Sequence, residues 1–292
     1  MSVITAALLA AGCSSAGSDR PPRPPLPAKN FNEADPATWT LPIEAYLPTD
    51  EEEKQIGRAR NAVIADCMKE FGFQWRPAPE LPKVGSKTLT DWRYGLHDAA
   101  RAKSRGYKPD AAEQAAYDTV MKQGAVRGDA GSQAEEKALK GTVDEMGGKA
   151  VPKGGCSGKA VQRVASPDAV YSRTAQDISH DAYRRAQKDP AVAEVFGKWS
   201  ACMKESGYSY KEPLDTVDDP RFKTAEPSDL EISTAAADLA CRGRFNVAKA
   251  WFDAEVKLQD TDIDKHAEEL DEARKALDAA VRNAANVLAG TR

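Results

Sequence analysis

Apolar residues recur at helical spacing along most of this chain, and residues 49–75 show the pattern most clearly. Thr49 and Glu52 match a capping box, in which two side chains satisfy the free backbone N–H groups at a helix start. Gly72 can end this helix, because glycine adopts left-handed backbone angles without strain. The apolar face of the predicted helix consists of Ile56, Val63, Ile64, Cys67, Met68 and Phe71.

The end of that helix has a near copy later in the chain. Residues 67–73 read Cys-Met-Lys-Glu-Phe-Gly-Phe, and residues 202–208 read Cys-Met-Lys-Glu-Ser-Gly-Tyr. Asp189 can cap the second helix, Pro190 suits its first turn, and Gly207 can end it. Its apolar face consists of Val192, Val195, Phe196, Trp199, Cys202 and Met203. Each copy is therefore predicted to be the last turn of an amphipathic helix whose cysteine and methionine face the core.

The remaining patterns are also helical. Segments 96–105, 109–123 and 166–188 predict helices, whereas 124–158 is rich in glycine and predicts a loop with one short helix. No alternating strand pattern of five or more residues stands out.

The C-terminal stretch 228–289 carries a heptad repeat. Its apolar positions recur every seven residues at Val256, Ile263, Leu270, Leu277 and Ala284. This spacing predicts a long amphipathic helix, or a helical hairpin, packed along a seam. Unbroken, it would extend roughly 90 Å at ~1.5 Å per residue. Gly243 and residues 260–262 are the candidate bends.

These patterns predict an all-α fold. We expect a disulfide-stapled helical domain made of two related helix–Cys–Met–turn halves, residues 49–165 and 166–292, with the heptad-bearing helix in the second half.

The N-terminal sequence predicts where in the cell the protein is located. Residues 1–13 read MSVITAALLAAGC, an apolar run that is too short to span a bilayer and suits a secretory signal. The run resembles the bacterial lipoprotein signal, whose small residues precede an invariant cysteine. We therefore expect residues 1–12 to be a signal peptide and Cys13 to be lipidated. Because no Lys or Arg precedes the apolar run, we also expect the true start of translation to lie upstream.

Residues 13–48 begin with small polar residues and then Pro21, Pro22, Pro24 and Pro25 around Arg23. Closely spaced prolines favour an extended spacer. The segment predicts a tether that holds the helical body off a membrane surface.

The other four cysteines are Cys67, Cys156, Cys202 and Cys241. An even number outside the cytoplasm indicates disulfides, and four cysteines allow three pairings. Because each Cys-Met copy is followed by one further cysteine, we expect Cys67–Cys156 and Cys202–Cys241. The alternatives are a bond between Cys67 and Cys202, which would clamp the repeated helices together, and four buried free thiols.

Composition and motifs exclude several function classes. A net charge of −4, with both signs interspersed over 292 residues, leaves no basic stripe for nucleic acid. Residues 154–158 imitate a nucleophile elbow, but no strand pattern precedes them and Cys156 is needed for a disulfide. Asp260, Asp262 and Asp264 have the spacing of an EF-hand opening, yet Lys265 occupies the glycine position. We expect no cofactor and no metal.

Aromatic residues with an interleaved arginine provide the one candidate binding surface. They are Trp75, Trp92, Arg93, Tyr94 and Tyr107. Such groups stack on sugars or contact a partner protein, although they also build ordinary cores.

Several features together resemble a known group. They are the lipobox at residues 9–13, the two Cys-Met phrases (residues 67–73 and 202–208), residues 93–96, residues 155–158 and the alanine-rich helical tail. The chain is similar to secreted lipoproteins of unknown function in streptomycetes and related actinobacteria. The resemblance covers most of residues 50–292 and implies no activity.

The sequence thus predicts a lipoprotein anchored to the outer face of the cell membrane. We expect it to be non-catalytic and to bind a protein or a glycan of the cell wall. The alternative is a cell-envelope hydrolase whose residues assemble only in space.

Overall fold

A computed structural model describes residues 21–27, 29–123 and 131–290. Cys13 and the predicted signal peptide lie outside these residues. The described chain is mostly helical, which confirms the predicted fold class. Its eleven α-helices are α1 (Asp50–Glu70), α2 (Ala99–Arg105), α3 (Ala111–Lys122), α4 (Gln133–Lys140), α5 (Gly155–Arg163), α6 (Pro167–Val170), α7 (Arg173–Ala186), α8 (Pro190–Glu205), α9 (Asp229–Arg244), α10 (Val247–Lys265) and α11 (Ala267–Leu288).

Short elements fill the connections. Two antiparallel strands of two residues each, β1 (Glu145–Met146) and β2 (Lys149–Ala150), form a hairpin inside the segment predicted as loop. Four 3-10 helices each begin with a proline, which suits a first helical position; they are Pro36–Thr38, Pro42–Tyr46, Pro213–Thr216 and Pro220–Phe222.

The predicted helix boundaries need two corrections. Segment 166–188 is two helices, because Ser172 caps a new helix by accepting from the Ala175 N–H at 3.3 Å. The stretch 228–289 is three helices with breaks at Asn246, which has a left-handed φ of 50°, and at His266. Neither break falls at Gly243 or at residues 260–262, which all lie inside helices.

The two predicted halves are interleaved. Helix α1 packs against α5 and α11, α2 packs against α9, and α10 packs against α7 and α8. The C-terminal part of α11 faces α1, where Leu277, Ala280 and Ala284 join Ile56 and Val63 in one buried cluster. The C-terminal helix therefore completes the core of the N-terminal part.

Both expected disulfides are present. Cys67 bonds to Cys156 with an Sγ–Sγ distance of 1.97 Å, and Cys202 bonds to Cys241 at 2.00 Å. The first joins α1 to the start of α5, and the second joins α8 to α9. Two disulfides indicate an oxidising, extracytoplasmic environment.

Both Cys-Met phrases end their helices in the same way. The Phe73 N–H donates to the Met68 carbonyl at 3.0 Å, and the Tyr208 N–H donates to the Met203 carbonyl at 2.9 Å. Gly72 and Gly207 supply the left-handed residue, with φ of 81° and 90°. This is the Schellman arrangement, in which a contact between the flanking apolar residues accompanies the hydrogen bonds.

The predicted tether is part of the folded body over much of its length. Trp39 is 2 % exposed, and Leu41, Ile43 and Tyr46 are buried in a cluster with Ile263 and Leu270. The folded body therefore begins well before the predicted boundary at residue 49, because these side chains bury apolar surface.

The proline-rich residues 21–27 are also held against the body. The Arg23 guanidinium donates to Asp260 Oδ1 at 2.5 Å and to Asp264 Oδ1 at 2.6 Å, both on α10. Lys29 pairs with Glu44 at 2.8 Å and donates to the Trp39 carbonyl. These contacts correct the expectation of a free spacer for this stretch.

Candidate functional site: the Trp92 cavity

The loop between α1 and α2 contains a strained tryptophan. Trp92 has a φ of 64°, in the left-handed region that bulky residues rarely adopt. Such a conformation costs roughly 1–3 kcal/mol and persists where the surrounding structure imposes it. It occurs in a tight turn, in which the Gly95 N–H donates to the Trp92 carbonyl at 2.9 Å.

The turn sends neighbouring side chains in opposite directions. Arg93 and Tyr94 enter the protein interior, whereas Trp92 lines an open hollow of about 380 Å³. We call this hollow the Trp92 cavity; it is lined by Asp35, Ala37, Gly85, Lys87, Asp91, Trp92, His97, Asp98, Ala100, Arg101, Ser104, Arg105, Asp110 and Glu113. Its volume lies within the range of small-ligand sites.

Arg101, on α2, carries the cavity's most unusual feature. Its guanidinium lies over the Trp92 ring, 3.6 Å from the centroid. Its Nε–H is buried and donates to no acceptor among the described residues. Burial lowers the pKa of Arg101, and neighbouring carboxylates, Asp98 first among them, act in the opposite direction. A buried donor without an acceptor is rare in native proteins and requires an explanation.

The Gly85 backbone also lies close to the indole. A Cβ atom on Gly85 would lie 3.2 Å from two carbons of the Trp92 ring, and Gly85 has a φ of 77°. The Gly85 backbone and the Arg101 guanidinium therefore both restrict the position of the indole.

The carboxylates that line the cavity already have partners. Asp91 faces His97 Nε2 at 2.8 Å and accepts from the Lys87 backbone N–H at 2.7 Å. Glu113 pairs with the Lys87 ammonium at 2.7 Å and accepts from the Gly85 N–H. None of the described salt bridges pairs a carboxylate of the cavity with Arg101.

Asp98 and Asp110 serve as helix caps at the cavity edge. In each case Oδ1 accepts two backbone N–H groups at the start of the following helix, α2 or α3. In the described structure the other oxygen, Oδ2, accepts no hydrogen bond. Each cap therefore keeps one oxygen available to a ligand.

His97 is held between two carboxylates. Its Nε2 faces Asp91, and its Nδ1 lies 3.4 Å from Asp35 Oδ1. The nearby hydroxyls of Ser86 and Ser104 donate to backbone carbonyls, at Asp91 and Ala100. The imidazole nitrogens and the serine hydroxyls therefore have separate partners. This arrangement suits the orientation and binding of a ligand rather than the activation of a serine nucleophile.

The structure separates the five residues of the predicted binding surface. Trp92 lines the cavity, whereas Tyr94 is 1 % exposed in the main core. Trp75 packs near Cys67 and donates to Asn61 Oδ1 at 3.3 Å. Tyr107 stacks on Phe222 with ring centroids 5.8 Å apart. One contact surface formed by all five is therefore not present.

Arg93 and Tyr94 instead belong to a buried polar network. Glu255, fully buried on α10, accepts from Arg93 Nη2 at 2.6 Å and from the Tyr94 hydroxyl at 2.8 Å. The Tyr94 carbonyl accepts from Arg242 Nη1 at 2.7 Å, and Arg242 Nε donates to Asp238 at 2.6 Å. Burial, followed by the charge of Glu255, raises the pKa of Tyr94 well above its usual value. These hydrogen bonds rigidly support the turn that carries Trp92.

A second hollow, of about 630 Å³, lies beside the N-terminal segment and includes Pro27, Leu47, Leu89 and Tyr171. Its two lysines, Lys29 and Lys87, are paired with carboxylates. It lacks a buried unpaired donor of the kind that Arg101 provides among the described residues.

Other motifs from the sequence have structural roles. Cys156 is in a disulfide, and Asp260 and Asp264 bind Arg23. Within the described residues, no group of three or more His, Cys, Asp or Glu side chains is placed to hold a metal ion. No helix in the described ranges has the length and apolarity needed to cross a membrane.

Comparisons with known proteins give no match, whether to a protein family, to a curated protein or to a solved structure. Sequence reasoning identified Trp92 but missed Arg101, His97 and the surrounding carboxylates. These residues come from three separate segments without shared spacing, so no local pattern marked them.

Proposed function

We propose that this protein is an extracytoplasmic lipoprotein that binds a partner, without catalysis, at the Trp92 cavity. The observation that carries the proposal is the half-buried guanidinium of Arg101, which lies on a strained tryptophan and pairs with no carboxylate among the described salt bridges. A ligand acceptor that reaches its accessible N–H groups would gain a charge-assisted hydrogen bond.

The anchor in this proposal is lipid on Cys13, at the outer face of the cell membrane. The lipobox-like residues 9–13 and the oxidising environment indicated by two disulfides support it. Because residues 21–27 are docked on the body, the chain between Cys13 and Pro21 can span at most roughly 30 Å. The body would therefore stay close to the membrane surface, and the partner would be a membrane-proximal protein or cell-wall polymer.

A hydrolase is the competing function, and the contact between His97 and Asp91 is the observation in its favour. In known triads the second imidazole nitrogen contacts a nucleophile. Here that nitrogen faces Asp35, so the arrangement favours binding over hydrolysis.

The anchor is tested by replacing Cys13. We expect mass spectrometry of the wild-type protein to find an N-terminal lipid on Cys13, and we expect Cys13→Ala to release the protein from the membrane fraction. A membrane-bound Cys13→Ala variant, together with an unmodified wild-type cysteine, would contradict the anchor.

The binding site is tested with Arg101→Gln, which removes the charge and retains most of the side-chain length. The matched control is Lys103→Gln, an exposed position on the same helix that does not line the cavity. We expect cosedimentation with purified cell-wall polymer, or capture of one defined envelope protein, to be lost in Arg101→Gln and retained in Lys103→Gln. Equal behaviour of both variants would argue against this cavity as the site. Turnover of peptidoglycan or ester substrates that disappears in His97→Gln would favour the hydrolase instead.

A further inference from the structure

The hydrogen bonds in the Trp92 cavity define the chemistry of its ligand. On the basis of the binding function proposed above, we infer that the cavity binds a zwitterionic ligand of amino-acid or dipeptide size. Its carboxylate would bind Arg101, and its ammonium group would bind the free carboxylate oxygens of the helix caps Asp98 and Asp110.

Arg101 is suited to bind the anionic end of the ligand. Arg101 is the basic group of the cavity that lacks a carboxylate partner, since Lys87 pairs with Glu113 and Arg105 pairs with Glu226 at 2.7 Å. Its stacking on Trp92 holds the guanidinium plane in one orientation. A planar, oriented guanidinium matches a carboxylate, which can accept two parallel N–H groups.

The net charge of the cavity also restricts the ligand. The cavity is lined by five carboxylates against three basic side chains and His97. A surplus of negative charge opposes a dianion such as phosphate, because each extra negative charge on the ligand is repelled by the surrounding carboxylates. A ligand carboxylate is therefore favoured when the same ligand also carries a positive charge.

The helix caps Asp98 and Asp110 are suited to bind the cationic end. The described hydrogen bonds of Asp98 and Asp110 engage Oδ1 and leave Oδ2 without a donor. Asp98 also caps α2 by accepting from the Arg101 backbone N–H at 3.1 Å, so that both residues lie in the first turn of this helix. An ammonium group beside these oxygens would complete hydrogen bonds that the protein leaves open.

The size of the cavity is consistent with such a ligand. The hollow of about 380 Å³ is near the small end of the range for ligand sites, and one wall is the fixed indole of Trp92. This volume accommodates an amino acid or a dipeptide.

The inference is tested by titration calorimetry on the protein purified from its own envelope in detergent. The probe is the dipeptide alanylalanine, and its matched derivatives are the C-terminal amide, which lacks the carboxylate, and the N-acetyl form, which lacks the ammonium group. We expect the free dipeptide to bind, and each derivative to bind roughly tenfold to a hundredfold more weakly, as expected for loss of one charge-assisted hydrogen bond.

Variants test which residue binds each charged group of the ligand. Arg101→Gln should weaken the free dipeptide by roughly tenfold or more and should abolish the difference between the dipeptide and its amide. Asp98→Asn retains a cap at the start of α2 and should selectively reduce the difference between the dipeptide and its N-acetyl form, because Asp110 remains as the second partner of the ammonium group. Lys103→Gln should leave the affinity unchanged. Circular dichroism establishes that each variant is folded.

Other outcomes separate this inference from the proposed function. Tighter binding of inorganic phosphate or of a neutral disaccharide than of the dipeptide would overturn the zwitterionic class. No binding of any probe, combined with an envelope partner whose capture depends on Arg101, would overturn the inference and leave the proposed function in place. No binding of any probe and no Arg101-dependent partner would overturn both.

Discussion

The two Cys-Met phrases have the same local structure in different surroundings. In both, a Schellman turn ends the helix, and a cysteine in the last turn forms a disulfide. The second phrase lies in the main core, where Cys202 and Met203 pack with Trp199 and Trp251. The first phrase lies in a smaller cluster, where Cys67 and Met68 pack mainly with Ala138 and Cys156.

The residues that follow each phrase also make different contacts. Trp75 and Tyr210 occupy equivalent positions in the two copies, eight residues after the cysteine. Trp75 donates back to Asn61 on α1, whereas the Tyr210 hydroxyl donates to Asp219 at 2.7 Å. Asp219 in turn accepts from Arg221 at 2.6 Å. The comparison shows that a repeated sequence fixes a helix end, while its contribution to stability depends on what packs around it.

Removing the disulfides should have the largest effect. The Cys67–Cys156 bond closes a loop of 89 residues and the Cys202–Cys241 bond a loop of 39. Loop entropy predicts a loss of about 4–5 kcal/mol for each double alanine variant, larger by ~0.7 kcal/mol for the longer loop. Urea denaturation measures both losses. The reverse order would show that packing in the main core outweighs loop entropy, and reduced wild-type protein provides the reference.

Truncating the methionines should reverse that order. Met203 and Met68 are 0 % and 1 % exposed. A buried Met→Ala change costs about 2–5 kcal/mol, and the cost increases with the cavity that remains. We expect Met203→Ala near the upper end, because large rings border it, and Met68→Ala near the lower end, because the smaller cluster can close around the gap. Met→Leu at both positions is the control and should cost under about 1.5 kcal/mol. Equal losses from the two alanine variants would contradict the difference between the two clusters.

Replacing the two terminal glycines should have equal effects. Gly72 and Gly207 have φ of 81° and 90°, and a Cβ atom at either position would meet no atom within 4 Å. Gly→Ala should therefore cost ~1–2 kcal/mol at each, from the left-handed backbone alone. Gly57 in α1 and Gly197 in α8 also have open space, and there Gly→Ala should stabilise by up to ~1 kcal/mol. Thermal unfolding of the four variants tests both statements, and unequal losses at Gly72 and Gly207 would disprove local equivalence.

The smallest effect concerns pH. Burial, reinforced by the hydrogen bond to Asp219, raises the pKa of Tyr210 to about 12. An unfolded tyrosine has a pKa of about 10, so the folded state favours the neutral phenol. Its stabilisation is complete below about pH 10 and is lost as the pH rises towards 12.

This pH dependence should differ between the two copies. Tyr210→Phe should flatten the decline of unfolding free energy between pH 10 and 12, whereas Trp75→Phe at the equivalent position should leave the slope unchanged. Denaturation at a series of pH values provides the measurement. Parallel curves for wild type and Tyr210→Phe would refute a stabilising role of the phenol.

Sequence reasoning succeeded for features that depend on neighbouring residues. The Thr49–Glu52 capping box and the turns at Gly72 and Gly207 are found as expected. Both cysteine pairings are also found as expected, although they join residues 89 and 39 positions apart; the repeated Cys-Met sequence indicated them. It misplaced the breaks in the C-terminal stretch. Asn246 and His266 interrupt the helix, although neither glycine nor proline marks these positions.

By itself, the sequence determined the helical class and the two Schellman ends. Their hydrogen bonds join residues within one or two turns, so a few side chains decide them. Only the tertiary structure decided that Arg93 pairs with Glu255, that Arg23 fastens the N-terminal segment to α10, and that Arg101 lies on Trp92. These contacts join separate elements of the chain, so they form only where apolar surfaces have packed those elements together.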